Sequence, residues 1–431
     1  MRPIATVDAV STGGAATPAG SVALAPPDIL LPREFPPPEQ PPPERPPRDG
    51  DGAGAPEAPA VPRPRGRHEW VDAGRGLAIV LVVLVHSRDW LDTVGLPMQV
   101  WGRVNETLGG LRMPLFFMVS GLLGAKWTKA RWADLFTGKL VFLIWVYLIW
   151  QPIGLGAALV ADQFTGAHSS VTHFVIALAA TVVRPRSELW FLWALVLYFV
   201  LLRAGSRWPL WVQLVPVVPV SAVWFSGLVP DGNLGWNGVP KFYLFFLLGA
   251  RYRTTILRLA AQATTQVWRS LAAFAAWGAG TAVVAVTGIF PVLGVGVLAG
   301  MLGMVGGVGL AVRLAPSRLL RYLGSRTLPV YLAHTPIIIV MAWFVHSHRH
   351  AAWVGDLTPE LPLVFTLLAV PLTLGLYEAV RRTPVGFLYA PPALVLAVAG
   401  RIVNGRRPDG RHALPAPRAH NGMMVSRRAE V

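Results

Sequence analysis

Residues 70–90 read WVDAGRGLAIVLVVLVHSRDW, an apolar stretch with Arg75 near one end and His86 near the other. The two are eleven residues apart. On a helix they point the same way to within about 20° and stand about 16 Å apart along the axis. A bilayer core is about 30 Å thick. Two polar groups reaching into one apolar helix are costly unless their shared face lines something wet or reactive. The rest of the chain reads as housing for that face.

Bulk composition agrees. Of 431 residues, 53% are hydrophobic and 14% are charged, with 17 Trp. A soluble domain carries roughly a quarter charged residues. Here the apolar residues fall in blocks long enough to span a bilayer, and no ten-residue alternating strands appear. The expectation is an all-α, polytopic transmembrane helical bundle, its partner the lipid bilayer. The net charge of +16 does not point to nucleic acid. The arginines sit in the tails and between apolar blocks, where a membrane protein keeps its cytoplasmic charge. With no cysteine, thiol nucleophiles, thiolate metal sites and disulfides are excluded. Pro26 and Pro27 break the apolar run from Ser21 to Leu31, so no cleavable leader is expected.

Taken in order, residues 1–67 are rich in Pro, Ala and Gly, as in Phe35–Arg48, FPPPEQPPPERPPR. Such a segment favours polyproline II and cannot bury a core, so a disordered cytoplasmic tail is expected. A membrane domain follows over 68–390, and 391–431 form a basic tail, also disordered. About ten spans are read: 72–90, 108–125, 140–161, 189–203, 209–226, 239–250, 271–288, 291–312, 327–345 and 361–381. Val171–Val183 is apolar but short. Counting it as a span throws Arg251–Arg269 and Arg313–Arg326 outside. Treating it as an external re-entrant or interfacial segment brings these clusters inside, with Lys126/Lys129/Arg131/Lys139, Arg203/Arg207 and Arg381/Arg382. The positive-inside rule selects the second choice. Both termini are then cytoplasmic, Arg75 lies towards the cytoplasm and His86 towards the outer face. Pro114 is expected in the first turn of the second helix, with Arg112 at its outer end and Ser120 about 12 Å deeper.

Each polar residue carries a bland and a functional reading. Arg75 is either a snorkelling arginine paired with Asp72 or a fixed cation for an anionic group from the cytoplasm. His86 is either a hydrogen-bonded packing residue or a general base, with Asp89 one turn on to orient it. Arg112 is either an interfacial arginine or a cation for an oxyanion. Glu188, Trp190 and Arg186 form an outer corner that either anchors the interface or lines an acceptor site. His334 reads as packing. The cluster His346, His348 and His350 lacks carboxylates at ligand spacing, so no metal site is expected. Gly296, Gly300, Gly303 and Gly307 are expected to serve close helix packing.

Together the motifs resemble the acyltransferase 3 family of membrane O-acyltransferases. Asp72-Ala-Gly-Arg-Gly-Leu with His86 is similar to its first-helix signature. Arg112-Met-Pro-Leu-Phe-Phe-Met-Val-Ser-Gly resembles its second-helix motif, nearest to the branch of fucose O-acetylases and related sugar acetyltransferases. Glu188-Leu-Trp-Phe-Leu and Tyr331-Leu-Ala-His334 resemble its outer corner and its late motif. The resemblance runs in order over about residues 68–390. It implies a ten-helix fold and a cytoplasmic acyl-CoA donor, usually acetyl-CoA, used as co-substrate with no permanently bound cofactor. It implies transfer to a hydroxyl of a carbohydrate or glycolipid. Arg75 and His86 match the family's essential pair, and Arg112 the arginine before its second helix. The corner after Trp190 departs from the pattern, lacking glutamates common in many members. Phosphate contacts are expected from Arg75 and Lys126, with Ser120 on the donor path, in a multi-pass plasma (inner) membrane protein. The rival reading is an exporter of a glycolipid or small molecule, although no internal repeat of the first-helix pattern is found.

Overall fold

A computed structural model describes residues 68–166, 170–185, 187–230 and 232–404. The expected disordered tails, 1–67 and the end of the chain beyond 404, lie outside the described residues. Sixteen α-helices follow in order: α1 (Glu69–Thr93), α2 (Gln99–Gly124), α3 (Trp132–Leu135), α4 (Val141–Thr165), α5 (Val171–Ala180), α6 (Trp190–Ala204), α7 (Leu210–Phe225), α8 (Leu234–Arg251), α9 (Arg253–Thr265), α10 (Val267–Thr287), α11 (Val295–Leu314), α12 (Arg318–Ser325), α13 (Thr327–Ser347), α14 (Ala352–Leu357), α15 (Leu361–Val380) and α16 (Ala393–Asn404). A π-helical turn, Phe136–Leu140, joins α3 to α4. The described residues contain no strand. The fold is an all-α membrane bundle.

Among the described residues nine segments are long and apolar enough to cross a bilayer. Eight of them match spans read from the sequence. The fifth expected span, α7, has only 16 residues. The sixth, α8, has 18 residues with Pro240 inside, and it is not among the nine. The ninth segment, Pro384–Val403, falls where the sequence reading began the tail. Its prolines break it into a short 3-10 turn and α16. At 12 residues α16 is about 18 Å long, short of a bilayer core. The ten residues of α5 are likewise too short to cross.

α1 is the hub. It packs against α2, α11, α12, α13 and α15, and Ala73, Ala78, Ile79 and Val83 are fully buried. The lipid-facing work is left to others. α7 exposes Trp211 and Val215, α10 exposes Leu271, Val283 and Val286, and α15 exposes Leu367 and Leu372. Apolar side chains turned outward are the expected surface of a bundle solvated by lipid.

α2 also starts earlier than expected. It begins at Gln99, so Pro114 is an interior proline and Arg112 lies three to four turns in. A proline inside a membrane helix is tolerated because neighbours reoccupy the freed carbonyls.

α2 and α8 touch backbone to backbone. A Cβ at Gly121 would stand 2.0 Å from the Phe246 carbonyl oxygen, and one at Gly249 would stand 2.0 Å from that of Met118. Packing without a hydrophobic driving force relies on such small residues. Gly296, Gly300, Gly303 and Gly307 of α11 each meet a close neighbour: Phe225, Phe245, Gly110 and Leu115. Their expected packing role holds.

The basic clusters gather at one end. Arg75 donates to the Thr327 hydroxyl at 2.7 Å, and Arg321 pairs with Glu69. Arg326 and Arg381 both reach Glu378. Arg203 donates to the Ala130 carbonyl, Arg251 to that of Trp208, and Arg313 to those of Ala263 and Thr264. The charge count assumed such a common end for these clusters.

Two outcomes are expected. Gly249→Leu drives a side chain into the α2 backbone, which costs roughly 1–3 kcal/mol or more, and lowers the thermal midpoint of the detergent-purified protein. Because the chain lacks cysteine, single cysteines report topology directly. Ser317→Cys is expected to be shielded from impermeant maleimide in intact cells, and Thr107→Cys labelled.

Candidate active site

Arg75 and His86 share one unbroken helix of 25 residues. The Arg75 guanidinium bonds Thr327 at the start of α13 and sits 3.8 Å from Asp72. It lines a cavity of about 460 Å³. Ser120 and Lys126 line the same cavity, so the three residues assigned from sequence to the donor side do meet. Ser120 donates to the Phe116 carbonyl at 2.8 Å. Lys139 joins them. The sequence reading had counted it only as loop charge.

His86 lines neither this cavity nor the larger one described below. Its ring centroid lies 5.1 Å from that of His334. The Arg112 guanidinium is close enough for its charge to act on His86, and it donates to the Leu81 carbonyl of α1 at 3.2 Å. Asp89 does not orient the imidazole as expected. It pairs with Arg88 at 3.0 Å.

His334, read from the sequence as a packing residue, packs against His86 of α1. It is fully buried on α13. Its Nδ1 lies 2.7 Å from the Tyr331 carbonyl oxygen and 3.1 Å from that of Val330. Carbonyls only accept, so Nδ1 carries a proton, and Nε2 lies 3.4 Å from the Thr335 hydroxyl. The signal was the Tyr-Leu-Ala-His motif, one turn of helix with its histidine on the side of Val330 and Tyr331. The sequence alone did not say that this face meets α1. Tyr331 itself lines the 460 Å³ cavity, and its ring lies 6.1 Å from His334. Ring contacts thus run from Tyr331 in the wall of the cationic cavity through His334 to His86.

The second cavity, about 910 Å³, is lined by Arg112, Trp190, Lys241, Asn233, Asn237 and Phe242 among others. Four of these lie on α8 or its N-cap, Asn233. Trp190, assigned from the sequence to the outer corner, lines this cavity. Glu188 is not with it. Its backbone carbonyl accepts from the Tyr331 hydroxyl, its side chain bonds Thr335, and it belongs to the α6–α13 seam beside His334. Arg186 lies outside the described residues.

An aromatic partition separates the cavities. Phe117 is fully buried. Its ring lies 5.9 Å from Trp190 and 5.4 Å from Phe242 on the larger side, and 4.7 Å from Phe191 on the cationic side. The described residues hold no group of three potential metal ligands.

Residues 68–377 match the model of a known family, described as an acyltransferase domain. This chain belongs to the acyltransferase 3 family. It is also similar to the inner membrane protein YcfT of Escherichia coli (strain K12), 24% identical over 355 residues that cover 76% of this chain and 97% of the relative. No solved structure matches it. Family and helices together make it a multi-pass membrane protein of an acyltransferase family. The link to the fucose O-acetylase-like branch rests on motif resemblance alone.

If His334 acts through His86, their effects do not add. His334→Ala is expected to lower acyl transfer roughly tenfold or more in the wild-type background and to have little effect in a His86→Ala background, the signature of coupled neighbours. Equal losses in both backgrounds would make His334 a packing residue.

Proposed function

We propose that this protein is an integral-membrane O-acyltransferase that moves an acyl group, expected to be acetyl, from cytoplasmic acyl-CoA to a hydroxyl of a carbohydrate or glycolipid. The observation that carries this reading is the continuity of α1. One helix holds Arg75 in a cationic cavity and His86 beside a second imidazole and Arg112, which lines a second cavity. The basic end faces the cytoplasm of a plasma-membrane protein whose two termini are both cytoplasmic.

The residues then divide the work. Arg75 and Lys126 suit the phosphates of the donor, and Ser120 lies along the path of its arm. Trp190 and Phe242 offer ring faces to a sugar, while Lys241, Asn233 and Asn237 suit hydroxyls. His86 takes the proton of the acceptor hydroxyl. The oxygen attacks the thioester carbonyl and the C–O bond forms. The C–S bond breaks, and the departing CoA thiolate takes up the proton that His86 held. Arg112 faces the negative charge that gathers on the carbonyl oxygen. The sugar-acetyltransferase branch is the acceptor class that this lining supports best.

The test is release of free CoA from acetyl-CoA by purified protein in liposomes, with and without a glycan or glycolipid extract. Acceptor-dependent release is expected, falling roughly 100-fold or more in His86→Ala at equal expression. Full activity in that variant sinks the catalytic role. Acceptor movement across the liposome without CoA release would instead favour an exporter.

A further inference from the structure

The cationic cavity holds more charge than its walls can satisfy. Arg75, Lys126 and Lys139 all line it, and its lining contains no Asp or Glu. Arg75 has Thr327 and Asp72 as neighbours. Lys139 is different. Among the described residues it has no hydrogen bond or ion pair, and its ammonium lies over the Phe199 ring at 5.5 Å. Arg75 and Lys126, which line the same cavity, carry the same charge and repel it. Such an arrangement is costly when nothing else is present, and an entering anion relieves it.

The backbone holds Lys139 in this position. It falls within the π-helical turn Phe136–Leu140. An extra residue in the turn swings the following side chains by about 100° relative to an uninterrupted helix. The turn is seated on Trp127. A Cβ at Gly138 would stand 2.8 Å from that indole, and Trp127 in turn lies under the Lys126 ammonium at 4.9 Å. The turn, the indole and both lysines form one wall of the cavity.

We propose that Lys139, presented by this π-turn, is a donor-specificity residue that reads the phosphate groups of the acyl donor. The inference rests on the acyl-CoA reading above and adds to it the residue that distinguishes a phosphorylated donor from a bare thioester arm. Lys139 contacts phosphate, whereas the acyl-bearing arm runs past it towards Tyr331 and His334.

The experiment measures binding of CoA and of pantetheine, which lacks the phosphates, to the full chain purified in detergent. Wild type, Lys139→Gln, Lys139→Arg and Lys129→Gln are compared, with the ligand-free thermal midpoint as folding control. Lys129 is exposed and lies outside the cavity lining. Lys139→Gln is expected to weaken CoA binding roughly tenfold, the scale of one lost charge-assisted contact. Pantetheine binding should be unchanged, Lys139→Arg should retain CoA, and Lys129→Gln should resemble wild type. Equal CoA binding by wild type and Lys139→Gln overturns the role of Lys139 and leaves the donor reading standing. Loss of both ligands in Lys139→Gln, or an equal loss in Lys129→Gln, also overturns it, since the effect would then be shape or bulk charge. Failure of the wild-type protein to bind CoA overturns the donor reading, and this inference with it.

Discussion

The structure depends on keeping the polar face of α1 away from lipid. An arginine and a histidine on an apolar helix are tolerated only when protein or water meets them. Here α1 is enclosed by five other helices, and each polar group finds a neighbour. Arg75 meets Thr327 and His86 meets His334, both on α13. These two contacts set α13 parallel to α1 and in register with it, since both begin at the basic end. Arg112 adds a third tie by reaching back to the Leu81 carbonyl. The polar face therefore orders the core.

Much of this was legible in the sequence, for a definite reason. Helical periodicity sets which residues share a face and how far apart they stand, and charge placement sets which ends belong together. Thus the Arg75–His86 face, the meeting of Ser120 and Lys126 with Arg75, and the common end of the basic clusters could all be read. Partner choice between helices could not. That His334 packs against His86, 248 positions away in the chain, could not be read from the sequence. Glu188 and Trp190 looked like one corner because they are two residues apart. They sit where a turn runs into α6, and they diverge, the acid to the α13 seam and the indole to the larger cavity.

Proline accounts for one of the boundary errors. Pro114 after Arg112 looked like a helix start, yet it lies in the interior of α2. The tail drawn from residue 391 opens with a helix, α16. Proline alone marks a position where a backbone donor is missing. Whether the helix ends there depends on what the surrounding helices offer the freed carbonyl. The π-turn at Phe136–Leu140 escaped for a related reason, since an extra residue per turn leaves no compositional mark.

The partition around Phe117 gives the site a physical logic on the acyltransferase reading. A thioester is consumed uselessly if water reaches it before the acceptor does. Packed rings between the two cavities limit that access, while ring contacts link the imidazoles of α1 and α13 to Tyr331 in the wall of the cationic cavity. Exclusion of water also strengthens the charge of Arg112 at the reacting carbonyl, because the local dielectric falls. The same enclosure that makes the charged face of α1 tolerable in a membrane therefore makes it effective as chemistry.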